Sequence, residues 1–276
     1  MYKKNLILLF VLFTSISYSQ WKQEWFPSDI NIQPFTANFL EPRAGFLFSL
    51  DKNQLRLDIS TSRDMLHWIS EKEILSLGVD LFTFTRLRRA DNFKFPVETI
   101  DYLFGINAGY KKKVLDGKEF GFRFRLSHIS AHLVDGQYDD TNKEWRDGRD
   151  PIVYSKEFVE LFPYYRINSF RAYVGLTYIF HIIPSDIKKV NFQFGFDYFA
   201  TQIGSDFMTP FLAYDFKLNG NEKYVGNNII AAGIKFGAWN QRGLSIYFSY
   251  ISGKSIHGEF YDLNENYTNI GFNFEL

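Results

Sequence analysis

The sequence contains no cysteine. That absence excludes disulfides, thiolate metal centres and cysteine nucleophiles. No excess of charge of either sign is present: 31 basic residues face 31 acidic ones, so there is no electrostatic footprint for nucleic acid, and none is expected as a partner. Proline is scarce, with 8 in 276 residues, and no linker, repeat or low-complexity tract divides the chain. Beyond the first twenty residues no run of eighteen apolar residues occurs, which excludes a helical membrane protein. The first residues read differently: Lys3 and Lys4, the apolar "NLILLFVLF" and the small residues of "SISYSQ" have the order of a secretory signal peptide. Residues 1–19 are expected to be that peptide, leaving 29 basic against 31 acidic residues in the mature chain.

Aromatic residues are what the chain has in abundance. They make up 19% of it, with 31 Phe and 17 Tyr, more than a soluble secreted enzyme of this size needs for its core. They recur at period two. "NFQFGFDYF" sets Phe192, Phe194, Phe196 and Tyr198 against Asn191, Gln193, Gly195 and Asp197, and "FRAYVGLTYIF" sets Val174, Leu176, Tyr178 and Phe180 against Arg171, Tyr173, Gly175 and Thr177. Such alternation is that of strands with one apolar and one polar face. About twelve such segments are predicted, near 43–50, 54–61, 74–86, 101–111, 119–130, 152–162, 168–181, 190–199, 210–218, 228–239, 243–252 and 267–276. Most have the nine to twelve residues a tilted strand needs to cross a bilayer, and their number is even.

Alternation does not say which face is inside, and a soluble sandwich or lipocalin-like barrel would bury the apolar one. Three features favour the inverted arrangement. Strands end in aromatics such as Tyr102, Tyr110, Tyr178, Trp239 and Tyr250, as interface girdles do. The polar faces are rich in Gly, Asn, Asp, Ser and Arg, which suits a narrow polar lumen. The closing "NIGFNFEL" is similar to the C-terminal strand signal read by the outer-membrane assembly machinery, which is therefore an expected partner along with outer-membrane lipid. The predicted fold is all-β, a transmembrane antiparallel barrel of about twelve strands in the cell outer membrane, over residues 43–276. Residues 20–42 are expected to precede it as an irregular periplasmic lead. Long connections at 87–100, 131–151 and 253–266 would lie outside and short ones at 163–167 and 240–243 in the periplasm. The first hairpin fits least well, being short at 51–53 and long at 62–73.

Four stretches, "FPSDINIQPFTANFLEPRAGF", "RLSHISAHLVD", "VYSKEFVELFPYY" and "YISGKSIHGEF", together make the chain resemble the proteins grouped as domain of unknown function 1207, from Gram-negative envelopes. The resemblance spans nearly all the mature chain. It implies an outer-membrane barrel and no particular activity.

The second stretch carries the chemistry. Phe120, Phe122, Phe124 and Leu126 form an apolar face that His128, Ser130 and His132 continue. In a membrane barrel these would point to lipid near the outer rim, where polar side chains cost free energy. Residues i and i+2 of a strand lie about 6.6 Å apart on one side, so His128 is placed to serve Ser130 as general base. The pair is similar to the His-x-Ser of the outer-membrane phospholipase and lipid A deacylase barrels, where a side chain twelve positions after the serine orients the histidine. That position here is Asn142, with Asp135 as a substitute orienter. Those families have Asn immediately after the serine, and this chain has Ala131. A polar strand end at the headgroup level is the plainer reading of the same residues.

Metal chemistry finds less support. His128 and His132 would stand about 13 Å apart on a strand, too far to share an ion, and no cofactor is expected. Asp135, Asp139 and Asp140 offer oxygens for Ca²⁺ but lack the spacing of a known Ca²⁺ loop. "SGKS" at 252–255 is not a phosphate loop, because Phe248 stands where glycine is needed. Arg56, Asp58, Arg123, Arg125, Arg171 and Lys235 fall on lumen faces, where mixed charge suits an internal ion-pair network or a selective pore. The reading is thus an outer-membrane barrel with a structural or interaction role by default. A lipid-facing hydrolase of phospholipid or lipid A acyl esters and a small channel stand as the alternatives, and whether the chain is an enzyme stays open between them.

Overall fold

The computed structural model describes residues 21–205 and 207–275. The proposed signal peptide and the terminal Leu276 lie outside that range. The strands run in order β1 (Lys22–Trp25), β2 (Ala44–Ser49), β3 (Gln54–Ile69), β4 (Glu73–Arg88), β5 (Val97–Leu115) and β6 (Lys118–Leu133). A long loop carries the small hairpin β7 (Tyr138–Asp139) and β8 (Glu144–Trp145). Then follow β9 (Tyr154–Ile167), β10 (Phe170–Ile183), β11 (Val190–Phe199), β12 (Met208–Gly220), β13 (Tyr224–Phe236), β14 (Leu244–Lys254) and β15 (Asn264–Phe274). Twelve of them, β2 to β6 and β9 to β15, form one antiparallel sheet, each pairing with the next in the chain. The sheet closes where Phe274 of β15 pairs with Ala44 of β2 and Asn269 with Ser49. Closure leaves no lipid-exposed sheet edge, the condition a strand structure must meet inside hydrocarbon.

The faces are inverted relative to a soluble barrel. On β10, Val174, Leu176, Tyr178 and Phe180 are exposed while Arg171, Tyr173 and Thr177 are buried. The same holds around the wall, from Leu77 and Leu81 on β4 to Ile246 and Phe248 on β14. Glycines on the lumen face make room for large inward rings: a Cβ on Gly175 would stand 2.4 Å from Phe162, and one on Gly195 would meet the Tyr173 hydroxyl.

The first hairpin turns between Ser49 and Gln54, and the next reversal falls at 70–72 and not over the long turn expected at 62–73. A register shift between Asp64 and Leu66 flips the side-chain parity in mid-strand, so the alternation that marks the other strands is broken there. β1 pairs with this lower half of β3, Lys22 opposite Ile69. The expected turn at 163–167 is also strand. The chain reverses at Asn168 and Ser169, with Asn168 in the left-handed region at φ 52°.

The lead is the largest correction. Residues 31–43, expected to wait outside, pass through the lumen and fill it: Phe35, Ala37, Asn38, Leu40 and Glu41 are almost wholly buried. This segment has no ladder of its own, so the wall supplies its backbone partners. Arg171 Nη1 donates to Gln33 O (2.7 Å), Arg56 Nη2 to Phe39 O (3.2 Å), Arg125 Nη1 to Leu40 O (3.0 Å) and Lys111 Nζ to Asn31 O (3.0 Å). Asp64 and Asp197 accept the N–H of Asn31 (2.6 Å) and Thr36 (2.8 Å). Glu41 takes both Nη groups of Arg123, and Phe35 lies under the Arg123 and Arg171 guanidiniums, 4.9 and 4.5 Å from its ring. Nothing in the local pattern of residues 31–43 distinguishes a segment within the lumen from the periplasmic lead expected there. Only the wall's charges disclose it as a plug.

The outer mouth is closed as well. Residues 255–263 fold inward, with His257, Glu259 and Phe260 buried. Asp101 accepts from His257 Nδ1 and Gly258 N, each at 2.7 Å. Glu259 accepts from the N–H of Leu133 and of Ile152.

Arg125 is the most committed wall residue. Its guanidinium binds Asp80 (2.8 Å), Glu160 (3.2 Å) and the plug carbonyl of Leu40. Arg125→Ala takes from the buried Asp80 and Glu160 carboxylates the guanidinium they share, a loss expected to cost about 3–5 kcal/mol. Heat- and urea-modified gel mobility of the refolded barrel should register it as a lowered unfolding midpoint, and an unchanged midpoint would show the network to be idle.

Candidate lipid-facing site

Three adjacent strands, β6, β9 and β10, build the site at their outer ends. His128 lies on the outward face of β6, and its direct cross-strand partner on β9 is Glu157. His128 Nδ1 meets Glu157 Oε1 at 2.7 Å. A carboxylate only accepts, so this bond fixes the tautomer with the proton on Nδ1 and leaves Nε2 as an acceptor. The Phe104 ring packs 4.8 Å from the imidazole and holds its plane.

The other Glu157 oxygen is taken by His181 Nδ1 on β10. Strict alternation would turn His181 inward, as it turns Arg171, Tyr173 and Thr177. A bulge between Ile179 and His181 shifts the register by one residue, so Phe180 and His181 both point out. Bulges re-aim side chains in this way and are common beside active sites. Glu157 is the side chain that holds the cluster together, since a lone carboxylate at a lipid-facing position is costly. Two imidazoles meet its two oxygens, and Ser155 Oγ lies 3.5 Å from Oε1.

Ser130 follows His128 on the same face, half-buried, directly opposite Ser155 and Tyr102. Among the described residues no hydrogen bond joins it to His128, so the serine stands beside the base without engaging it. Asn142 does not reach the histidine. It sits in the exposed turn of the β7–β8 hairpin, donating to Asp139 Oδ2 (3.3 Å). Asp135 lies in a short helical turn above the rim, also exposed. Neither expected orienter is beside His128, where Glu157 stands instead, because the chain spends most of the stretch after Ser130 on an outer loop and not on the next strand. Asp139, once a candidate Ca²⁺ ligand, uses its carboxylate on the N–H of Thr141 and Asn142 and on Arg146. The signal for Glu157 was in the sequence: in "YSKEFVE" it is the one acid on the outward row of a strand. His181 carried no such signal, since nothing local marks the bulge.

The lumen residues lie buried and paired: Arg56 with Asp58, Arg123 with Glu41, Arg125 with Asp80 and Glu160, Arg171 with Asp197, and Lys235 with Glu275. Glu41 belongs to the plug and Glu160 sits one layer beneath Glu157 on the opposite face of β9.

Residues 102–276 match the family described as protein of unknown function (DUF1207). The chain belongs to that family. The DUF1207 match begins at Tyr102 on β5 and thus includes His128, Ser130, Glu157 and His181. No curated protein matches the sequence. Among solved structures, outer membrane phospholipase A from Escherichia coli superposes with a TM-score of 0.56 at 12% identity, over 90% of this chain and 95% of its own. The β-domain of the Bordetella autotransporter BrkA aligns at TM-score 0.45 and 11% identity, over 85% of this chain and 98% of its own. At such identities the likeness speaks to fold: this DUF1207 protein is a closed barrel of the outer-membrane kind, and the outer membrane is where it resides.

The absence of native cysteine makes the bulge directly testable. His181→Cys in the refolded barrel should react with a membrane-partitioning maleimide, while Thr177→Cys, buried in the lumen, should not. Protection at both 177 and 181 would mean the strand is not bulged.

Proposed function

We propose that the chain is a lipid-facing acyl-ester hydrolase, with Ser130 as nucleophile, His128 as general base and Glu157 as the group that orients the histidine. The observation that carries this reading is the His128–Glu157 bond on the lipid face, two residues from an outward serine. A hydroxyl is a weak nucleophile until a positioned base takes its proton, and a base works best when a third group holds it in the correct tautomer. Glu157 meets that requirement, and it makes little physical sense as mere lipid-facing surface.

In the proposed reaction Ser130 Oγ attacks the ester carbonyl of an acyl chain, and its proton passes to His128 Nε2. The imidazolium, stabilised by Glu157, then gives that proton to the departing alcohol, leaving the acyl group on Ser130. Water, activated by the same Nε2, releases the fatty acid and restores the hydroxyl. Strand-end side chains at the outer rim stand where phospholipid or lipid A esters meet the headgroup layer, which gives the substrate class.

The channel reading has no comparable support. The plug and the ion pairs occupy the lumen, and the 255–263 loop covers its outer mouth.

Fatty acid release from mixed phospholipid and lipid A micelles by the refolded barrel tests the proposal. Ser130→Ala and His128→Ala should each lower the rate by roughly a thousandfold or more with heat-modifiable mobility retained. Glu157→Gln should keep the fold and lower the rate less. Equal and negligible release by wild type and Ser130→Ala would remove the enzyme reading.

A further inference from the structure

At the opposite end of the barrel, the inner face of the periplasmic mouth holds a chamber of about 60 Å³, room for a few waters or one tetrahedral anion. It opens into a wider bowl of about 900 Å³. Arg166, Ser169, Trp239 and Asn240 line both, so the two spaces meet at these side chains. Four cations and three carboxylates border the chamber. Three of the cations are fully engaged. Arg171 binds Asp197 and two plug carbonyls, Lys235 binds Glu275 and Gln241 O, and Arg43 donates to Thr36 O and Asn38 O.

Arg166 is different. Its Nε is buried with no hydrogen-bond partner among the described residues. Its one ion-pair contact is Glu119 Oε1 at 3.8 Å, and that oxygen already accepts from the Tyr164 hydroxyl at 2.7 Å. The guanidinium is instead laid against the Trp239 ring, 5.6 Å from its centroid. A guanidinium that is stacked, largely buried and short of acceptors presents its fork to whatever enters the chamber.

We propose that this vestibule binds an oxyanion from the periplasmic side, a carboxylate or a phosphate group, in the chamber between Arg166 and Ser169. The rest of the molecule that carries it would lie in the bowl against Trp239 and Asn240. The fork of Arg166 matches the two oxygens of either group, and Ser169 adds a hydroxyl donor at the same place. The site is separate from the lipid-facing cluster and does not depend on it.

The refolded full chain in zwitterionic detergent is titrated with inorganic phosphate and, separately, with acetate, following heat and tryptophan fluorescence. Trp239→Phe identifies the part of the signal that arises at the chamber. Saturable binding of either anion is expected, weakened roughly tenfold or more in Arg166→Gln and less in Arg166→Lys, which keeps the charge but not the fork. Preference for phosphate would point to a phosphate-bearing ligand and preference for acetate to a carboxylate. Failure of wild type to saturate with either, or equal binding by Arg166→Gln with its fold intact, would overturn the site. The wild-type titration decides even if the variants do not refold.

Discussion

Backbone N–H and C=O groups have no water to turn to inside hydrocarbon, and each one left unpaired costs several kcal/mol. The closed ring of twelve strands answers that constraint at the wall. The constraint then passes inward. A ring of this size leaves a lumen, and the segment that fills it brings backbone of its own that no ladder can pair. Arginines on the inner wall therefore become donors to plug carbonyls, and those arginines in turn need Asp58, Asp80, Glu160 and Asp197 beside them. The buried charge of this barrel follows from having a strandless chain in its centre.

The same logic explains the lipid face. There the rule is apolar, and departures from it stand out. The cluster of His128, Glu157 and His181 spans three strands, and one of them is bulged to bring its histidine round. A bulge interrupts the ladder on the strand that carries it, and on β10 it brings His181 onto the lipid face beside Glu157. The outward row of β6, β9 and β10 is apolar below this point and polar at it, so the cluster stands at the end of the apolar band.

Period-two alternation is written in the residues themselves, which is why the strands of β10, β11 and β14 could be drawn close to their true bounds from sequence. Where parity slips, alternation no longer marks the strand. The shift after Asp64 hides the lower half of β3, and the bulge before His181 re-aims a histidine that strict alternation would turn inward. His128 and Ser130 were legible because they continue an unbroken row. Glu157 is marked in the sequence as an outward acid, but its pairing with His128 is not, since that depends on which residue of β9 stands opposite β6, and a twenty-residue loop between strands leaves that register open. The plug was least legible of all. Nothing in "DINIQPFTANFLEPR" distinguishes a chain lying outside a barrel from one lying within it. The distinction rests on wall charges far away in sequence, such as Arg123 facing Glu41.

The proposed hydrolysis turns on whether Ser130 is an activated hydroxyl. A lipophilic fluorophosphonate reacts covalently only with a serine whose proton has been drawn off by a neighbouring base. Incubated with the refolded barrel in micelles and followed by peptide mass spectrometry, it should leave one adduct, on Ser130, absent in His128→Ala. An intact barrel that takes up no label, or that carries it equally on Ser130 and Ser155 whatever stands at position 128, would contradict the reading.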